Sequence, residues 1–175
     1  MIIKLSDLIA PSFYCVHKAI KENLYTEYML KGGRGSTKST FVSVEIILGI
    51  MRDAQKSEYT NAVALRKVKD TLKDSVYEQL EWAIDKLGVS DKWKCTKSPM
   101  EMVYLPTGQK ILFRGADKPK KIKSTKVKKG YIKYIWYEEL DEFYGPEEIR
   151  TINQSLMRGG EKFIVFYTYN PPKSS

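Results

Sequence analysis

The residues from Lys31 to Thr40, KGGRGSTKST, combine glycines, hydroxyls and a lysine in the spacing of a phosphate cradle. Glycines let backbone N–H groups turn inward, the start of a following helix adds partial positive charge, and the lysine reaches the outer phosphates. The general pattern is a glycine, any four residues, then Gly-Lys-Ser/Thr. Here Gly32 opens it and Lys38 and Ser39 close it, with Thr37 where the second glycine is expected. Two more polar sets follow apolar runs: Glu138-Glu139 after YIKYIWY, and Thr168 to Asn170 after KFIVFY. Phosphoryl transfer needs a lysine on the phosphates, a hydroxyl and a carboxylate around Mg²⁺, and a residue that orients the attacking water. Lys38, Ser39, Glu138 and Glu139 supply these in chain order, which indicates nucleotide hydrolysis. The competing reading makes Asp141 and Glu142 the working pair and leaves Glu138 and Glu139 as a strand cap.

Such groups work at the carboxyl ends of parallel strands, so the elements must alternate. A short strand is expected over 25–30, then the glycine turn, then a helix from Ser39 that is apolar on nearly every side and therefore buried. Residues 61–66 read as a buried strand. Leu72, Val76, Leu80, Ala83, Ile84 and Leu87 have helical spacing, and Gly88 is a natural stop. Residues 101–105 and 110–113 form a small β-hairpin across Pro106-Thr-Gly108. Strands at 131–137 and 162–168 flank a helix from Pro146 to about Met157, and an earlier helix is expected from an N-cap at Ser12 to about Asn23. The fold class is α/β, a mainly parallel central sheet flanked by helices with the hairpin as an insertion.

Composition narrows the chemistry. The chain has 175 residues, 42% hydrophobic and 29% charged, as a soluble globular domain does. No stretch approaches the roughly 20 apolar residues of a membrane span, and the start lacks the features of a secretory signal. Cys15 and Cys95 have no metal-like spacing and His17 is the single histidine, which argues against zinc and against a histidine triad. The expected setting is cytosolic. Ten of the 30 Lys and Arg residues and one of the 21 acids lie between Lys110 and Lys133, so the rest of the chain balances at twenty against twenty and the whole +9 is local. This block is either the footprint of a polyanion or a solvated lysine-rich loop.

The ordered motifs resemble those of phage terminase large subunits, the ATPases that drive double-stranded DNA into empty capsids. The resemblance rests on GGRGSTKST, Leu65-Arg-Lys67, Phe113 to Pro119, Ile135 to Glu139 and Tyr169-Asn-Pro-Pro172, and it runs from about Tyr25 onward. It implies a P-loop NTPase fold of the additional-strand, catalytic-glutamate type, with residues 1–175 as an N-terminal ATPase domain truncated at its C-terminal end and a nuclease domain lying outside it. ATP and Mg²⁺ are the implied cofactors. Gly32, Gly33, Arg34, Gly35, Ser36, Thr37, Lys38, Ser39 and Thr40 would hold the nucleotide, with Lys38 on the β- and γ-phosphates. Ser39 and Glu138 would hold Mg²⁺, Glu138 standing where most such ATPases have aspartate. Glu139 would activate water. Arg34 would sense the γ-phosphate in cis, or else be a surface residue paired with an acid. Asn170 would sense the γ-phosphate, or else simply begin a turn. Double-stranded DNA, a terminase small subunit, a portal or procapsid, and further copies of the chain are the implied partners, without a membrane, in the host cell cytoplasm. Two alternatives stay open at this point: a helicase-like or recombination ATPase, and a nucleotide-binding assembly module without activity. Tyr14, Tyr25 and Tyr28 are adenine contacts or core residues, and Trp82 and Trp93 read as core or contact residues. Arg66 is expected to meet a phosphate or a neighbouring subunit.

Overall fold

The computed structural model describes residues 2–173. Seven strands form one sheet: β1 (Glu27–Lys31), β2 (Thr60–Arg66), β3 (Trp93–Lys97), β4 (Met100–Tyr104), β5 (Gln109–Gly115), β6 (Tyr131–Glu138) and β7 (Ile164–Tyr169). Their order across the sheet is β1-β7-β6-β2-β5-β4-β3. The first five of these are mutually parallel, while β4 pairs antiparallel with both β5 and β3. This is the α/β, P-loop NTPase architecture. The expected hairpin is present as β4–β5 and is continuous with the sheet, because β5 also pairs parallel with β2.

Alternation along the strands sorts two cores. Ala62, Ala64, Tyr134, Trp136 and Phe166 face α1 (Tyr14–Lys21), α2 (Lys38–Gln55) and α3 (Glu78–Lys86). Val63, Leu65, Ile135, Tyr137, Val165 and Tyr167 face the other way, towards α4 (Pro119–Lys123) and α5 (Pro146–Leu156). Helix α2 lies between the sheet and its neighbours, so Phe41, Val42, Val44, Ile46, Ile47 and Ile50 are all fully buried. Phe13 stacks on Phe41 at 4.6 Å between ring centres, and the His17 ring contacts the buried Glu45 carboxylate on α2.

Several local expectations are corrected. Helix α1 begins at Tyr14 after a 3₁₀ turn opened by Pro11, and no side chain caps it, so Ser12 is not its N-cap. The helix expected through Leu72 to Leu87 is broken: a 3₁₀ turn (Lys69–Thr71) and a π turn (Lys73–Tyr77) precede α3, with non-helical φ −91° and ψ 18° at Asp74. Ser75 Oγ donates to the Thr71 carbonyl at 2.6 Å, a hydroxyl bond that competes with the helical ladder at the break. The basic block is not all loop. Pro119 starts α4, Ile122 is buried against α5, and Arg114 Nε donates to buried Thr125 Oγ1 at 2.9 Å. Among the described residues no helix is long and apolar enough to cross a membrane.

Candidate active site

Strand β1 delivers the chain to Gly32, whose N–H donates to the Tyr169 carbonyl at 3.2 Å, so the loop is stitched to the end of β7. A Cβ at Gly32 would lie 2.6 Å from Ser36 Oγ, which explains a glycine there. Thr37 has φ 61° and ψ 17°, the left-handed conformation that glycine adopts without cost. The threonine at this position keeps the loop geometry of the general pattern and carries the strain of a β-branched residue in it.

Helix α2 then starts at Lys38, which turns back into the loop. Its Nζ donates to the Gly32 carbonyl at 3.0 Å and to Asn170 Oδ1 at 2.8 Å, with Ser36 Oγ at 3.4 Å. Two residues 132 positions apart thus meet at the phosphate loop. Ser39 Oγ donates to Glu138 Oε1 at 2.9 Å. Glu138 also accepts from Thr168 Oγ1, and that hydroxyl accepts from the fully buried Trp136 Nε1 at 2.9 Å. The Glu138 carboxylate is therefore aimed by hydroxyls from α2 and β7.

The backbone reverses at Glu139, with φ 55°, and turns its side chain into a hollow of about 380 Å³. Residues 34–40, Glu139 and Asn170 line that hollow. Burial, followed by the neighbouring Glu138 and Asp141 charges, pushes the Glu139 carboxyl above its usual range, and Arg66 opposes the shift. Asp141 and Glu142 are exposed and do not line the hollow; Glu142 accepts from Arg66 Nη2 at 3.3 Å instead. The geometry favours Glu138 and Glu139 over that pair. Arg66 is thereby bonded within its own chain. Arg34 is exposed at the mouth of the hollow and makes no ion pair among the described residues.

The donor set suits Mg²⁺. Ser39 and Glu138 offer hard oxygens, and Mg²⁺ binds through one or two carboxylates plus waters and substrate phosphates. Among the described residues no group of three or more His, Cys, Asp and Glu forms a metal cage. Ser39, Thr40 and Glu138 also border a second polar hollow of about 550 Å³, shared with Asp74, Ser75, Glu78, Gln79, Trp82 and Trp136. Trp82 is half-buried at its edge, whereas Trp93 is core and lies tilted against Tyr104, 5.2 Å between ring centres. Tyr28 is buried, and Tyr14 and Tyr25 are exposed. The sequence reading missed the Trp136–Thr168 link and the partners of Arg66 and Lys67. All of these depend on strand register.

Comparison with known proteins gives the family and the fold. The chain is 42% identical over 175 residues to the terminase large subunit of Bacillus phage SPP1, covering 98% of this chain and 40% of that protein. It is 32% identical over 117 residues to the PBSX phage terminase large subunit of Bacillus subtilis (strain 168), 67% of this chain and 25% of that one. It therefore spans two fifths or less of these relatives. Among solved structures, the HK97 bacteriophage large terminase superposes with a TM-score of 0.69 at 14% identity, covering 92% of this chain and 33% of that one. The Thermus phage P74-26 large terminase ATPase domain gives 0.59 at 13% identity, covering 88% and 64%. These two likenesses speak to the fold. A family model described as phage terminase large subunit matches residues 25–175, and the chain belongs to that family.

Proposed function

We propose that this chain is the ATPase domain of a terminase large subunit, hydrolysing ATP with Mg²⁺ to move double-stranded viral DNA into a procapsid. The observation that carries the reading is the convergence of Lys38, Ser39, Glu138, Glu139 and Asn170 from three strand ends. In this reading the loop N–H groups and Lys38 hold the β- and γ-phosphates. Mg²⁺, when bound, supplies positive charge against the phosphate oxygens. Ser39 and Glu138 orient it, Thr168 keeps Glu138 in place, and Glu139 holds the attacking water and takes its proton. Asn170, bonded to Lys38, registers whether the γ-phosphate is present, and Arg34 reaches the same phosphate from the loop. The small subunit, the portal, further copies of the chain and the host cytoplasm complete the reading. The cluster Lys118, Lys120, Lys121, Lys123, Lys126, Lys128 and Lys129 is the surface offered to DNA.

The test is Glu139→Gln. It should bind a fluorescent ATP analogue as the unsubstituted chain does and lose hydrolysis by about a hundredfold or more, the size of a general-base contribution. Unchanged turnover would remove the role given to Glu139, and a chain that binds ATP without ever hydrolysing it would point to an assembly module. DNA affinity should fall steeply with salt and collapse when the lysine cluster is neutralised; equal affinity after neutralisation overturns the DNA surface.

A further inference from the structure

Resting on the ATPase reading, we propose that Arg66 and Lys67, the last residue of β2 and the first after it, are positioning residues that hold Glu139 in its working geometry. Strand β2 runs beside β6 with Leu65 opposite Tyr137, so the chain leaves β2 level with the two glutamates. Glu139 is left-handed at φ 55°, a conformation that a non-glycine residue keeps only when its surroundings impose it. The 3₁₀ turn Leu140–Glu142 follows at once, and Glu142 N–H donates to the Glu139 carbonyl at 3.0 Å.

No residue of that turn is fully buried; Leu140 packs partly against the core and Phe143 just after it is buried edge-on to Tyr137, while the Glu142 corner has no packing of its own. Arg66 holds that corner from outside: its Nη2 reaches both Glu142 carboxylate oxygens at 3.3 Å, and its side chain is only 12% exposed. Lys67, the next residue, holds the far end of the same segment. Its Nζ donates to Glu148 Oε2 at 2.7 Å and sits 3.4 Å from the centre of the Tyr144 ring. The other Glu148 oxygen accepts the Tyr144 N–H at 3.2 Å. Two consecutive cations, one ending β2 and one just after it, thus clasp residues 142–148 at both ends. Arg66 Nε is buried with no partner among the described residues. A donor left unmet in this way is costly, so the side chain is not arranged to maximise its own bonding.

A misplacement of about 1 Å at a catalytic group can reduce turnover on the order of a hundredfold. Arg66→Gln and Glu142→Gln should each lower kcat roughly tenfold to a hundredfold while leaving KM for ATP within about twofold, because the phosphate loop is untouched and binding is not what the clasp supplies. The double variant Arg66→Gln/Glu142→Gln should be no slower than the worse single one, since both cut one link. Arg66→Lys, which keeps the charge, should recover part of the loss. Lys67→Met should lower kcat by a smaller factor at equal KM. Multiplicative losses in the double variant, a rise in KM equal to the fall in kcat, or unchanged kcat in Glu142→Gln would each overturn the proposal. Glu142 is 42% exposed, so its variant folds even if Arg66→Gln does not. Loss of turnover in Glu139→Gln without any loss in the clasp variants refutes the clasp alone. A parent chain that never hydrolyses ATP refutes the ATPase reading.

Discussion

Replacing Thr168 by valine removes one buried hydroxyl and almost no volume, and it should separate the stability of this fold from the aim of its metal-side carboxylate. Thr168 is 1% exposed; its Oγ1 accepts the Trp136 indole N–H at 2.9 Å and donates to Glu138. Valine leaves that N–H in a fully buried place with nothing to bond, at about 1–3 kcal/mol. A domain of this size moves its midpoint roughly 2–4 °C per kcal/mol, so about 2 kcal/mol lowers Tm by about 4–8 °C. Serine keeps the hydroxyl and loses one buried methyl, about 1 kcal/mol. The two variants should therefore rank parent, serine, valine in thermal and urea unfolding. Function should rank them differently. With valine, Glu138 is held by Ser39 alone, and the Mg²⁺ concentration for half-maximal ATP hydrolysis should rise on the order of tenfold, the effect expected when a ligand's orienting partner is removed. With serine it should stay at the parent value. A valine variant within about 0.5 kcal/mol of the parent, the scatter of neutral surface changes, or a serine variant with the larger Mg²⁺ requirement, would refute the reasoning.

Two other perturbations probe the scaffold. Asp53 is buried and accepts from Thr60, from Tyr134 at 2.7 Å and from Lys133 at 3.1 Å. Lys133→Met strands that carboxylate without its cation and should cost about 3–5 kcal/mol in urea unfolding, with Asp53→Asn in the same chain restoring part of it; ATP affinity of the folded fraction should not change. Thr37→Gly relieves left-handed strain of about 1–2 kcal/mol against about 0.4–1 kcal/mol of added chain entropy in the unfolded state. It should therefore leave Tm equal or slightly raised, and a fall of several degrees would show that the Thr37 side chain does more than tolerate its backbone.

What was legible in the sequence was whatever is written over a few adjacent residues. The phosphate loop, the acid pair at the end of β6 and Asn170 after β7 each sit beside an apolar run, so the strand and the polar residues at its end identify one another. Strand β3 was not visible because Trp93–Lys97 is short, polar and at the sheet's edge. Helix α4 hid in the basic block because Ile122 is its single buried residue. The π turn before α3 has helical spacing of its apolar residues, and the break is set by a hydroxyl bond that spacing does not show. Arg66 is expected from the sequence to meet a phosphate or a neighbouring subunit; its actual partner Glu142 lies 76 residues away, as Glu148 lies 81 from Lys67, and both are chosen by how β2 registers on β6.

That contrast also divides the site into a part fixed by packing and a part fixed by charge. Helix α2, 18 residues and about 27 Å long, is fully buried over most of its length. A Cβ at Gly49 would fall 2.4 Å from Tyr134 Oη, so helix and sheet are in contact there with no space to slide. Lys38 and Ser39 inherit that rigidity at one end, and the Asp53 cluster ties down the other. Glu139 is placed differently. It is half-buried on a left-handed turn beside Leu140 and Phe143, which pack on the core, and the ion pairs Arg66–Glu142 and Lys67–Glu148 tie down the segment that follows. In the proposed reading, the half of the site that handles water therefore depends on the ion pairs of Arg66 and Lys67, and the half that holds phosphate depends on the core.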